Sequence, residues 1–405
     1  MNGQNVNIIG FCTLILTLFG TILFPPITVF SSFPKVEISD VTFILLTIHS
    51  LLFNFHKLVD TFIKYKIGFL FFLVWILVAS ISIIFNERFF EYRDWFEPIK
   101  YFKLFLILLY SLIYFKGRLP YIHKAIKIIF FLVLIFNFLH YFNVLFFNDY
   151  VEIFYAPKHH LDFFGINSIG EPSTRRMLGT LGNPNNNAIL FLLFVIYFLT
   201  IVGSKIGENH IYVSISSIFV LACQSRTGFV TLLIIFSAYF IIQKTNWRQI
   251  LFYIITITLG YIFLYFSGNI YIDSIVDFSL LESAKRGRFE QWGLIFNEMP
   301  GNWIMGHGVN KALLEEKNIY SESEYMLILF RYGIIGLFSY LLICFSILKT
   351  SLSSLISRGG MMMLGVFIIL IVTGITNTPF HVVKLSVLII FIFSISLILI
   401  DEKKV

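Results

Sequence analysis

The chain has 405 residues, of which 58% are hydrophobic and 13% charged, against about 25% charged in an average soluble domain. Mean hydropathy is +0.84 and 49 residues are phenylalanine. So little polar surface cannot cover a soluble core, which excludes an ordinary soluble enzyme, a secreted domain, a disordered chain and a coiled coil. The expectation is an all-α polytopic membrane protein. The formal net charge of +7 does not point to nucleic acid, because the basic residues flank apolar runs.

A spanning helix needs roughly 20 mostly apolar residues. About twelve runs qualify, near 7–24, 40–56, 67–86, 100–115, 125–146, 187–203, 209–223, 227–243, 250–268, 325–348, 360–377 and 381–400. The first lacks a basic leader and a small-residue cleavage site, so it reads as a retained helix. The organisation expected is helices 1–5 over 1–146, a long loop over 147–186, helices 6–9 over 187–268, a second long loop over 269–324, and helices 10–12 with a C-terminal tail over 325–405. One set of alternate connections carries 14 Lys and Arg, and the short loops of the other side carry 4. The positive-inside rule then puts both termini in the cytoplasm and both long loops outside, which in a bacterium is the periplasm. No internal repeat supports an inverted-repeat transporter.

The first long loop closes on Arg175 and Arg176, then a Gly/Asn/Pro turn leading into a membrane helix near Asn187. Two guanidiniums beside a helix N-terminus make an anion site, although a solvated helix entry would look the same. Arg226 lies in the very short outer turn Gln224-Ser225-Arg226. Either it snorkels to the interface or it holds an anion. In the second loop Ser283 can cap a helix that places Arg288, Trp292, Ile295 and Met299 on one face, with Lys285 and Arg286 adding charge. This reads as an amphipathic surface helix with basic anchors, or as a clamp for a membrane-bound phosphate.

Farther on, His307 lies between Gly306 and Gly308, a turn able to bring an imidazole to a ligand. Glu322 and Glu324 precede a spanning helix, so both are expected at the membrane surface, as general bases or as charges favourable to the helix dipole. His159, His160 and Asp162 lack a partner cluster, and Cys12, Cys223 and Cys344 lie in apolar stretches without ligand spacing. No metal, cofactor or nucleotide site is therefore expected.

Several segments occur in a familiar order: Leu181-Gly-Asn-Pro-Asn-Asn-Asn-Ala188, Ser225-Arg-Thr-Gly228, Arg288-Phe-Glu-Gln-Trp292, Ile304-Met-Gly-His-Gly308, and Ser321-Glu-Ser-Glu-Tyr325 followed by Arg331-Tyr-Gly-Ile-Ile-Gly-Leu337. Over roughly residues 170–345 this order resembles the O-antigen polymerase and ligase superfamily of bacterial inner membranes. The resemblance implies a lipid-donor membrane glycosyltransferase of the GT-C-like type, acting at the periplasmic face. Ligases of that superfamily usually carry a His-Asn pair where this chain has Ser-Glu-Ser-Glu, and the departure favours a polymerase. The implied substrates are oligosaccharide repeat units on undecaprenyl diphosphate, as donor and acceptor, within the bilayer and with a chain-length regulator as a further partner. On this reading Arg175, Arg176, Arg226, Arg286 and Asn187 bind diphosphate. Glu324 or Glu322 takes the acceptor proton, with Arg288 and His307 beside them. The alternatives are an O-antigen ligase, which passes the chain to lipid A-core, and a transporter of lipid-linked or anionic substrates.

Overall fold

The computed structural model describes residues 3–27, 36–155, 176–201, 207–244, 246–266 and 281–402. Among them no β-strand forms, and an antiparallel bridge joins Ile27 to Val36. The helices are α1 (Gly3–Leu23), α2 (Ile38–Phe53), α3 (Phe55–Lys64), α4 (Lys66–Phe85), α5 (Tyr92–Tyr114), α6 (Leu119–Phe142), α7 (Phe147–Tyr155), α8 (Pro184–Ile201), α9 (Glu208–Ala222), α10 (Arg226–Gln243), α11 (Trp247–Phe266), α12 (Leu281–Glu298), α13 (Lys311–Glu316), α14 (Glu324–Ser353), α15 (Arg358–Ile368) and α16 (Val383–Glu402). Each of the twelve apolar runs contains helix among the described residues. Among the described residues, seven helices are long and apolar enough to cross a membrane, or eight if α2 and α3 form one broken span. The protein is an all-α multi-pass membrane protein.

The run near 40–56 departs from expectation. It breaks at Asn54, and α2 and α3 meet at 96°. The cause is local chemistry. Leu58 of α3 is buried while Lys57, Asp60 and Lys64 are exposed, so α3 cannot continue into lipid. Tyr114 Oη fixes the corner, lying 3.1 Å from Asn54 Nδ2, 2.9 Å from Ser50 Oγ and 3.2 Å from His49 Nδ1.

The charged first half of α5 also lies inside the protein. Asp94 pairs with Arg88 at 2.5 Å, Lys103 with Asp40 at 2.5 Å, and Lys100 with Glu97. α8 is buried on nearly every side, and its Ala188–Leu199 stretch is fully enclosed. α16 packs against α5, α8 and α15, and these form the middle of the bundle. α4, α10 and α11 keep exposed apolar faces, such as Leu77, Ile81 and Ile84 on α4, as lipid contact requires.

Candidate functional site

α8, α10, α14 and α16 all begin at one end of the bundle. Their starts, the end of α4 and the charged half of α5 surround one polar region.

Glu324 is at its centre. It is the first residue of α14 and 0% exposed, not at the surface as its position suggested. Its backbone N–H lies 2.9 Å from Gly374 O and 3.0 Å from Asn377 O, in the turn that precedes α16. Its carboxylate accepts from the Phe380 backbone N–H at 3.1 Å and from His381 Nδ1 at 2.5 Å. His381 Nε2 is in turn 2.9 Å from Tyr101 Oη of α5. A carboxylate, an imidazole and a phenol are thus connected in one line. The start of a helix suits the carboxylate, because unpaired N–H groups there favour negative charge. Burial pushes the His381 imidazole below its ordinary value, Glu324 pulls it back up, and Lys100 and Arg331 reinforce the lowering. Below the line is an aromatic floor. Trp75 touches Tyr101, Tyr332 and Tyr340, and Phe380 stacks on Tyr101. Beside it Lys100 reaches the His381 carbonyl at 3.2 Å, and Arg331 and Lys311 approach Glu97 at 3.6 and 3.8 Å.

Two of the expected arginines lie on segments linked to the turn that holds Glu324. Arg176 Nη2 donates to Asn185 Oδ1 at 3.1 Å and to Gln224 O at 3.2 Å, which ties the 176–187 segment to the turn before α10. Arg226 opens α10, where Ser225 Oγ caps the helix by accepting from Gly228 N–H. Next to it, Thr227 Oγ1 is 2.7 Å from Thr376 Oγ1, in the same turn that holds Glu324. α8 and α10 are each 18 residues long, and their positive N-terminal ends lie beside the Arg176 guanidinium, with Arg226 the first residue of α10.

Asn187 does something other than expected. α8 starts three residues earlier, and Asn183 Oδ1 caps it by accepting from the N–H groups of Asn185 and Asn186. Asn187 is 0% exposed and donates to Asn137 Oδ1 at 2.7 Å and Met177 O at 3.2 Å. It joins α8 to α6, and its amide nitrogen is engaged in these contacts inside the fold. Arg175 and the side chain of Arg286 lie outside the described residues.

The second loop forms a layer over the site. The expected face of α12 docks, with Ile295 and Met299 buried and Trp292 partly buried against Met326, Leu329 and Phe330 of α14. Arg288 pairs with Glu322 at 3.1 Å across an exposed surface. Such a pair contributes about 0–1 kcal/mol. His307 is built into the layer: its ring stacks on Phe330, its Nε2 is 2.8 Å from Glu298 O, and its backbone N–H donates to Phe330 O. The turn therefore fixes the imidazole in the fold. The same turn meets a break in α14 at Gly333, where φ is +62°. A Cβ there would run into the Ile304 carbonyl and Gly306 N, and the Ile334 N–H donates to Trp303 O at 2.8 Å. Gly333→Ala is expected to cost at least about 1–3 kcal/mol. The check is a lowered melting temperature of the purified protein in detergent, and an unchanged melt would remove the strain argument.

Sequence reasoning missed His381, Tyr101, Glu97, Lys100 and Arg331. A signal was available, since ionisable residues inside apolar runs mark functional or paired sites. Among the described residues no three His, Cys, Asp or Glu side chains come together as a metal cluster. Residues 211–341 match the family model described as O-antigen ligase. No curated protein matches the chain significantly.

Proposed function

We propose that this chain, whose residues 211–341 match the family model described as O-antigen ligase, is an O-antigen polymerase, a membrane glycosyltransferase. It joins oligosaccharide repeat units carried on undecaprenyl diphosphate at the periplasmic face of the inner membrane. The observation that supports the reading is that Thr227, next to Arg226, meets Thr376 in the turn that also holds Glu324 and His381, while Arg176 is tied to the segment just before Arg226.

The acceptor hydroxyl oxygen attacks the anomeric carbon of the donor. Its bond to the diphosphate oxygen breaks, and undecaprenyl diphosphate leaves with the electron pair. Arg176 and Arg226, with the N-termini of α8 and α10, meet the charge that develops on the leaving group. The hydroxyl proton goes to the couple formed by Glu324 and His381. A neutral imidazole next to a carboxylate is suited to this, because the carboxylate stabilises the imidazolium that forms. Arg288 and Glu322 line the approach from the overlying layer.

The ligase is the second reading, favoured by the printed description of the matching family. Deleting the gene from its host separates the two. A polymerase is expected to leave lipid A-core bearing a single repeat unit on a gel. Core with no repeat unit attached would overturn the polymerase in favour of the ligase.

A further inference from the structure

A cavity of about 620 Å³ opens at the opposite end of the bundle, between α4, α14 and α16. It begins among Lys64, Lys66, Lys349 and Asp401 and narrows along apolar walls to Tyr340 and Phe380. Those two residues belong to the aromatic floor under Glu324. The volume lies in the range of roughly 300–1,000 Å³ typical of small-molecule sites. The walls are mostly phenylalanine, isoleucine and leucine, with Ser346, Thr350 and Ser353 along α14, so they suit a hydrocarbon chain.

The mouth decides which lipid. Lys64 is neutralised by Asp401, which also accepts from Tyr65 Oη. Lys66 and Lys349 lie on either side of the same opening, exposed and outside every ion pair among the described residues. Two ammonium groups at the entrance to an apolar shaft complement a phosphate with a hydrocarbon tail. The diphosphate of the proposed donor belongs at the arginine end, and a tail descending from there would leave these lysines without a counter-charge. We propose that the cavity is a site for an anionic phospholipid of the leaflet at this end, with its headgroup phosphate on Lys66 and Lys349 and an acyl chain reaching Phe380.

Gly68 provides a test that spares the fold. It lines the cavity on α4, and a Cβ built there meets nothing within 4 Å. The backbone therefore accepts a side chain here, and Gly68→Phe is expected to put a ring into the cavity. The purified protein is exchanged into mixed micelles containing phosphatidylglycerol, phosphatidylcholine or polyprenyl phosphate, alone and in competition, and retained lipid is weighed by native mass spectrometry. The expected result is one tightly held phosphatidylglycerol, absent in Gly68→Phe at an unchanged melting temperature. Retention should be about 30-fold weaker in the Lys66→Gln/Lys349→Gln double variant. Equal retention of phosphatidylcholine would overturn the headgroup assignment. Retention of polyprenyl phosphate in preference to phosphatidylglycerol would give the shaft to a substrate tail and overturn the proposal. Undiminished lipid in Gly68→Phe would remove the cavity as the site. None of these readouts depends on polymer synthesis, so the proposal and the polymerase reading can fail separately.

Discussion

Glu324→Gln is expected to leave little or no long polymer at wild-type expression, a loss of about 10²–10⁴-fold. The substitution preserves volume, so packing at this fully buried position survives. Two things change. The carboxylate accepts two N–H groups, from Phe380 and from His381. A carboxamide accepts only one of them and turns its own NH₂ toward the other, which costs about 1–3 kcal/mol for a buried mismatch. It also cannot stabilise a protonated His381. The matched control is Glu322→Gln. That residue is exposed and loses only its pair with Arg288, so polymer length should be nearly normal. Full-length polymer from Glu324→Gln would sink the proton-transfer role. Loss of the protein from the membrane would show up in the melting temperature and the expression level.

The couple also carries a pH signature. Burial lowers the His381 value below the ordinary 6.5, so its neutral, proton-accepting form prevails above 6.5 and is lost as pH falls through the lowered value. Polymerisation by wild-type membranes should therefore decline on the acid side of that point. In His381→Asn the remaining activity should lack this decline. A wild-type rate that stays constant as pH falls from 6.5 until the protein itself unfolds would remove the imidazole from the step.

Arg176→Ala is expected to abolish long chains while the protein still reaches the membrane, and Arg176→Lys is expected to restore them only in part. The guanidinium reaches Asn185 Oδ1 and Gln224 O with one nitrogen, Nη2, and so aligns two loops while directing its charge toward the start of α10. An ammonium keeps the charge but loses the planar fork, so it cannot bridge the loops and face a phosphate together. The readout is polymer length on a gel with equal protein in the membrane fraction. Wild-type chains in Arg176→Ala would take this arginine out of the mechanism. Full recovery with Lys would reduce its role to charge alone.

The membrane architecture was legible because its cause is compositional. Apolar runs long enough to span announce themselves: each of the twelve contains helix among the described residues, and seven or eight of the helices are long enough to cross. The surface helix over 281–298 was equally readable from the spacing of Trp292, Ile295 and Met299. The break at Asn54 was not, because it depends on Tyr114, sixty residues away in the chain. The site was legible only in part, for the same reason. Motif order pointed to Glu324 and the arginines, but burial of Glu324 depends on the turn before α16, beyond every motif used. His381 stood unremarked at the edge of an apolar run. His307 and Asn187 had the right chemistry for ligand contact, yet tertiary contacts from Phe330 and Asn137 engage them in the fold.

The way Glu324 is held has a consequence for turnover. Its N–H bridges two carbonyls, and its side chain closes on two donors, all from the turn leading into α16. α14 therefore cannot slide or tilt at this end without breaking four hydrogen bonds at once. Over it, the Arg288–Glu322 contact is exposed and weak. On the proposed reading, the microsecond-to-millisecond opening that admits an acceptor falls to the α12 layer, while the bond-making groups remain stationary. A polymerase needs such a division of labour. The hydroxyl and the diphosphate ester are the same in every cycle and meet the stationary part. The glycan attached to them grows with each cycle, and it meets the part free to yield.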